Sequence, residues 1–183
     1  LMSIKVLFIY PNTYGMNMLP PAIALFSALL KQHGHSVDLF DATYYQTDHG
    51  VDSDGTKATR LNVVPFNPSE NGIKMRNTDW REDIKEKMKC FQPDLIALST
   101  TEDMWLLGTR MLEAIEEFIL RHRIPVIAGG VFPTFAPEIV IKHRLVDMVC
   151  VGEGEEATTE LLTSMEKGDL DTTIPNLWIK KFL

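Results

Sequence analysis

Apolar runs of strand length alternate along this chain with segments whose apolar residues recur every three or four positions. Ile4 to Tyr10 (IKVLFIY) has one lysine among hydrophobic residues, the pattern of a strand covered on both faces in a parallel sheet. Pro20 to His33 opens on two prolines and stops at Gly34, which predicts a helix with proline at its start and glycine past its end. Ser36 to Ala42 (SVDLFDA) alternates apolar and polar residues and predicts a second strand, nearer an edge. Asp79 can cap a helix over Trp80 to Lys89, and Leu95 to Thr101 predicts a third strand. Trp105 to His122 predicts the longest helix, with Leu107, Met111, Ile115, Phe118 and Ile119 on one face. A fourth strand, Pro125 to Ala128, stops at Gly129-Gly130; a short helix follows over Pro137 to His143. Val146 to Val151 predicts a fifth strand, and Glu155 to Lys167 a closing helix ended by Gly168.

Five repeats of strand then helix predict an α/β, doubly wound (Rossmann/flavodoxin-like) five-stranded parallel sheet, order 2-1-3-4-5, with helices on both faces. One stretch breaks the rhythm. Thr43 to Thr78 is rich in Asp, Asn, Gly, Ser and Thr without a sustained period, and reads as a polar insertion.

With 183 residues the chain fits one domain, read as 1–168 with the insertion at 43–78, followed by a connecting tail at 169–183. A net charge of −7 gives no basic footprint, so no nucleic-acid partner is expected. No apolar run approaches the ~20 residues of a membrane span, and the N-terminus lacks signal-peptide features, so a cytoplasmic protein is expected. Cys90 and Cys150 form no CxxC pair, and two cysteines cannot hold a conventional iron–sulfur cluster. Within Met148 to Val151, Cys150 reads as a small buried hydrophobe.

In a doubly wound sheet, ligands bind beyond the carboxyl ends of the strands. Four segments are expected to converge there: Asn12 to Leu19 with Tyr14, Gly15 and Met16; Ser99, Thr100 and Thr101; Gly129, Gly130, Pro133 and Thr134; and Gly152, Glu153 and Gly154. They offer hydroxyls, glycines and backbone donors, but no nucleophile beside a base, so the site is expected to hold a ligand and no catalytic residue is assigned. Neither GxGxxG nor GxxxxGK[ST] occurs. Asp52-Ser53-Asp54-Gly55 lacks the first and twelfth ligands of a calcium loop, and no metal site is assigned. Histidines 33 and 35 flank the helix-ending Gly34, where capping or solvated roles are expected.

Taken together, KVLFIYPN, LPPAIALFSALLKQHGHSVDLFDA, PDLIALSTT, PVIAGGVFPTFAPE and VDMVCVGEGEEATTELL, in that order, resemble the N-terminal cobalamin (B12)-binding domain of cobalamin-dependent radical SAM enzymes. That group includes the anaerobic magnesium-protoporphyrin monomethyl ester cyclase. The resemblance implies cobalamin as cofactor, with the corrin across the carboxyl edge and its dimethylbenzimidazole tail beside the strands. On that basis Ser99, Thr100 and Thr101 would line the tail, Gly129 and Gly130 would leave it room, and Pro133, Thr134 and Gly152 to Gly154 would close over it.

The first loop, Asn12 to Leu19, lacks the cobalt-ligating His of the DxHxxG motif. Base-off cobalamin without a protein nitrogen is therefore expected, with Tyr14, Met16 or Met18 near the cobalt. The resemblance also implies a partner, a C-terminal radical SAM domain holding the 4Fe-4S cluster and S-adenosylmethionine. Its CxxxCxxC motif is missing, so the chain reads as an excised N-terminal domain, and Leu1 ahead of Met2 as a cloning remnant. Two alternatives remain at this point: a cofactor-free structural or substrate-docking domain of the same fold, and, from strand order alone, an FMN-binding flavodoxin-like protein.

Overall fold

The computed structural model describes residues 3–12, 20–47, 69–169 and 171–180. Its strands are β1 (Lys5–Tyr10), β2 (Ser36–Asp41), β3 (Leu95–Ser99), β4 (Val126–Gly129), β5 (Met148–Cys150) and β6 (Leu177–Ile179). The helices are α1 (Pro21–Gln32), α2 (Trp80–Phe91), α3 (Glu102–Ala114), α4 (Glu116–His122), α5 (Val131–Phe135), α6 (Pro137–Val140) and α7 (Glu155–Lys167). The sheet runs β2-β1-β3-β4-β5-β6, with the first five strands parallel in the expected order. There are six strands where five were expected: β6 pairs antiparallel with β5, Cys150 opposite Leu177. Antiparallel edge strands on otherwise parallel sheets are common, because a short return needs no crossover helix. Lys180 holds this one down, its backbone N–H donating to Asp147 O and its Nζ to His143 O.

Strand residues alternate between two cores, as a pleat of period two requires. Leu7, Ile9, Ile96, Leu98, Val126, Ala128 and Val149 face one layer, where Trp80, Ile84 and Met88 of α2 and Met111 and Leu112 of α3 pack. Val6, Phe8, Leu95, Ile127, Met148 and Cys150 face the other, against Ile23 and Leu30 of α1 and Leu161 and Leu162 of α7. So α1 and α7 lie side by side on one face, and their first turns stand beside the carboxyl ends of the strands.

The long helix expected over Trp105 to His122 begins earlier and is broken. Thr101 is its N-cap, and Glu102 and Asp103 occupy the first turn, where acids complement the helix dipole. It breaks at Ile115 (φ −113°, ψ 12°), beyond which α4 runs to His122. Ile115 is fully buried, so the apolar face continues across the break, which is why periodicity alone does not reveal it. The helix α5, straight after Gly130, was also not expected; its proline and five-residue length hide it from a periodic reading. Helix α7 has the expected bounds, ended by Gly168 in the left-handed region at φ +71°.

Candidate functional site

The parallel pairing puts Ser99 beside Gly129 at the carboxyl end of the sheet. Both belong to the face covered by α1 and α7, as do Phe8, Ala97, Ile127 and Cys150, and these six floor a cleft of about 170 Å³. Its walls are Ala22, Ile23, Leu25 and Phe26 of α1, and Gly152 to Glu155 with Thr158 at the start of α7. The cleft exists because the floor residues at the ends of β3 and β4 are small. Ala97 and Ser99, then Gly129, leave a hollow where larger side chains would have met the helices.

The two glycines after β4 differ. A Cβ on Gly129 would meet only Cys150 Cβ, at 3.8 Å, so packing within the protein does not require glycine there. What a side chain at 129 would fill is the cleft. At Gly130 φ is +107°, and a Cβ would lie 2.7 Å from Thr100 O, so the backbone itself demands glycine. At Gly154 a Cβ would be tight, 3.0 Å from Phe26 Cζ and 3.1 Å from Cys150 Sγ, so those side chains would have to give by a few tenths of an ångström.

Of the three consecutive hydroxyls, only Ser99 lines the cleft. Thr100 is almost fully buried; its hydroxyl donates to Thr101 O and its N–H to Gly129 O, fastening the end of β3 to that of β4. Thr101 Oγ1 is buried with no hydrogen-bond partner among the described residues, an orphan group of the kind a ligand or water satisfies. Asn12 has 0% exposure, and its side-chain amide donates to Thr43 Oγ1, tying the end of β1 to that of β2. Pro133 is buried in α5. Thr134 bridges two loops, its hydroxyl donating to Gly130 O and accepting from Gly152 N. Gly152 and Glu153 are exposed at the mouth. Tyr14, Gly15, Met16 and Met18, like Asp52 to Gly55, lie outside the described residues.

Sequence reasoning missed Phe8, Phe26, Ala97 and Ile127. Counting back two positions from Ser99 and Gly129 would have found Ala97 and Ile127 by strand period. Phe26 had no such signal, because its place opposite Gly154 depends on how α1 meets α7.

Among the described residues no Lys, Arg or His lines the cleft, while Glu153 and Glu155 stand at its rim. Burial pushes the Cys150 thiol above its usual pKa, and Glu155 and Glu153 push it further. The exposed Cys90 is also raised, by its hydrogen bond to Glu86. Both thiols are therefore protonated at neutral pH, and alkylation should be slow at both and accelerate as pH rises. Iodoacetamide followed by peptide mass spectrometry should show Cys90 labelled first and Cys150 later. Equal rates would contradict the burial of Cys150 in the cleft floor.

A family profile described as the B12 binding domain matches residues 69–162, just over half of the chain. The chain belongs to the B12-binding domain family. No curated protein matches it in sequence. Among solved structures, it is similar to the radical S-adenosylmethionine methyltransferase TsrM from Kitasatospora setae, solved with tryptophan substrate and a SAM analogue. That likeness has TM-score 0.72 and 18% identity over 98% of this chain and 29% of that one. TsrM with cobalamin and a [4Fe-4S] cluster bound gives TM-score 0.70 and 19% identity, over 98% and 28%. The cobalamin-dependent S-adenosylmethionine radical enzyme OxsB, with aqua-cobalamin and S-adenosylmethionine bound, gives TM-score 0.62 and 20% identity, over 96% and 20%. At such identities the likeness is one of fold, and this chain spans less than a third of the length of those proteins. Among the described residues no helix is long and apolar enough to cross a membrane.

Proposed function

We propose that this chain is the cobalamin-binding module of a B12-dependent radical SAM enzyme, holding base-off cobalamin for a catalytic domain that lies outside it. The observation that carries this reading is Gly129: among the described residues nothing packs so closely as to require glycine there, yet a side chain would fill a cleft at the carboxyl edge of a B12-binding fold. The apolar floor and walls suit the uncharged aromatic base of the nucleotide tail, with Ser99 the hydroxyl on the floor. Thr100, Thr134 and Asn12 secure the surrounding loops. When bound, cobalamin supplies cobalt-centred redox and alkyl-carrier chemistry; the residues here bind and orient it.

Charge argues against an FMN protein. A terminal phosphate dianion needs cations or a free helix N-terminus, but the start of α7 carries Glu155 and Glu156 and no basic residue lines the cleft among the described residues. Mixing the protein with hydroxocobalamin, desalting and recording the visible spectrum tests the reading. Retained corrin absorbance is expected. A colourless protein would overturn it in favour of the cofactor-free docking domain.

A further inference from the structure

We infer that Thr134 is a positioning residue that sets the width of the cleft mouth, acting through the two loops it joins. The Thr134 hydroxyl donates to Gly130 O at 2.8 Å and accepts from Gly152 N at 3.0 Å. Both glycines line the cleft, one after β4 and one after β5, and both have backbones in the region that favours glycine, φ +107° and +83°. Such loops have the freest backbones of the chain unless something ties them. Strand pairing does not: the register of β4 with β5 stops at Ala128 and Val149, before either glycine. Among the described residues, the Thr134 hydroxyl joins Gly130 to Gly152 across the mouth; on its outer side the Gly152 loop is held by Val151 N–H donating to Asn176 O and Asn176 Nδ2 donating to Glu153 O, and Thr134 N–H also donates to Gly130 O.

The link continues inward. Gly130 sits against Thr100, whose carbonyl accepts from Phe132 N and whose N–H donates to Gly129 O. One side-chain oxygen thus carries the placement of the β3 and β4 ends across to the Gly152 loop, and with it to Glu153 and Gly154 at the start of α7. Thr134 itself is absent from the cleft lining, so its effect on a ligand passes through these loops. Because the bridge lies at the surface, water replaces the lost partners when the hydroxyl is removed, so binding should suffer more than folding.

This inference rests on the cobalamin-binding reading, and the experiment separates the two. Thr134→Val, which keeps the shape and removes the hydroxyl, and Thr134→Ser, which keeps the hydroxyl, are titrated with hydroxocobalamin and with cobinamide, a corrinoid without the nucleotide tail. Loss of two ordinary hydrogen bonds predicts a Kd for hydroxocobalamin about tenfold higher in Thr134→Val. The same variant should bind cobinamide as the wild type does, and Thr134→Ser should restore hydroxocobalamin binding. Should Thr134→Val not fold, Thr134→Ala removes the same hydroxyl without bulk and is expected to give the same pattern. Wild-type affinity for both corrinoids in the hydroxyl-free variant overturns the inference and leaves the binding reading standing. Equal loss of both corrinoids also overturns it, since a mouth that grips the tail has no reason to weaken cobinamide. If the wild type binds neither, both the inference and the binding reading fall.

Discussion

Gly129→Val should abolish retention of hydroxocobalamin while leaving the protein folded. The position is at the end of β4 with ordinary strand geometry, and the nearest atom to an added Cβ is Cys150 Cβ at 3.8 Å. Valine suits a strand, and replacing glycine reduces the entropy of the unfolded chain, so stability should change by no more than about 1 kcal/mol. The added methyls would occupy the floor of the cleft between Ser99 and Cys150. A ligand that needs that space must withdraw or reshape the wall, and an affinity loss of a hundredfold or more, about 2.7 kcal/mol, is expected. Visible absorbance after desalting reads the binding, and thermal unfolding followed by circular dichroism reads the stability. A Gly129→Val protein that stays coloured would remove the observation on which the proposed function rests.

Gly130→Ala should do the reverse, harming the fold first. Its Cβ would stand 2.7 Å from Thr100 O and 3.1 Å from Thr100 N, both backbone atoms, which cannot swing aside as a flexible side chain can. The backbone at φ +107°, ψ −165° is a region almost confined to glycine and adds a penalty of about 1 to 3 kcal/mol for a residue with a side chain. With the displaced contact between the β3 and β4 ends, a total loss of about 3 kcal/mol or more is expected. Denaturant titration checks this: a lower midpoint with an unchanged slope is the expected result. A variant as stable as the wild type would mean that the loop relaxes at little cost and that the two glycines are not different in kind. The pair of variants is the sharper test, because neighbouring glycines that look interchangeable are assigned opposite failures.

Much of the fold was legible in the sequence because it depends on local rules. The run Ile4 to Tyr10 became β1, the proline start and glycine stop bracketed α1, and Asp79 capped α2 by accepting from Arg81 N. Strand β6 was not legible, since three residues after a polar stretch carry no period, and their pairing with Cys150, Val149 and Met148 comes from a free sheet edge. The break at Ile115 was hidden for a related reason: burial there continues through a change in backbone angles.

The candidate site was legible as a set of segments but not as an arrangement. Ser99, Gly129, Gly130, Gly152, Glu153 and Gly154 do meet at one cleft, because parallel strands place all their carboxyl ends at one edge. Thr100 and Asn12 use their side chains to hold neighbouring loops, and Thr134 joins two of them.

The sequence by itself determined the alternation of elements, their order in the sheet and which ends could form a site, because spacing, capping and crossover handedness are encoded over short distances. Only the tertiary structure decided that small residues on adjacent strands leave a hollow under α1 and α7. It alone separated a glycine the backbone requires from one whose added Cβ would meet only ordinary contact and open onto the cleft, a distinction that depends on which atoms stand opposite a missing Cβ.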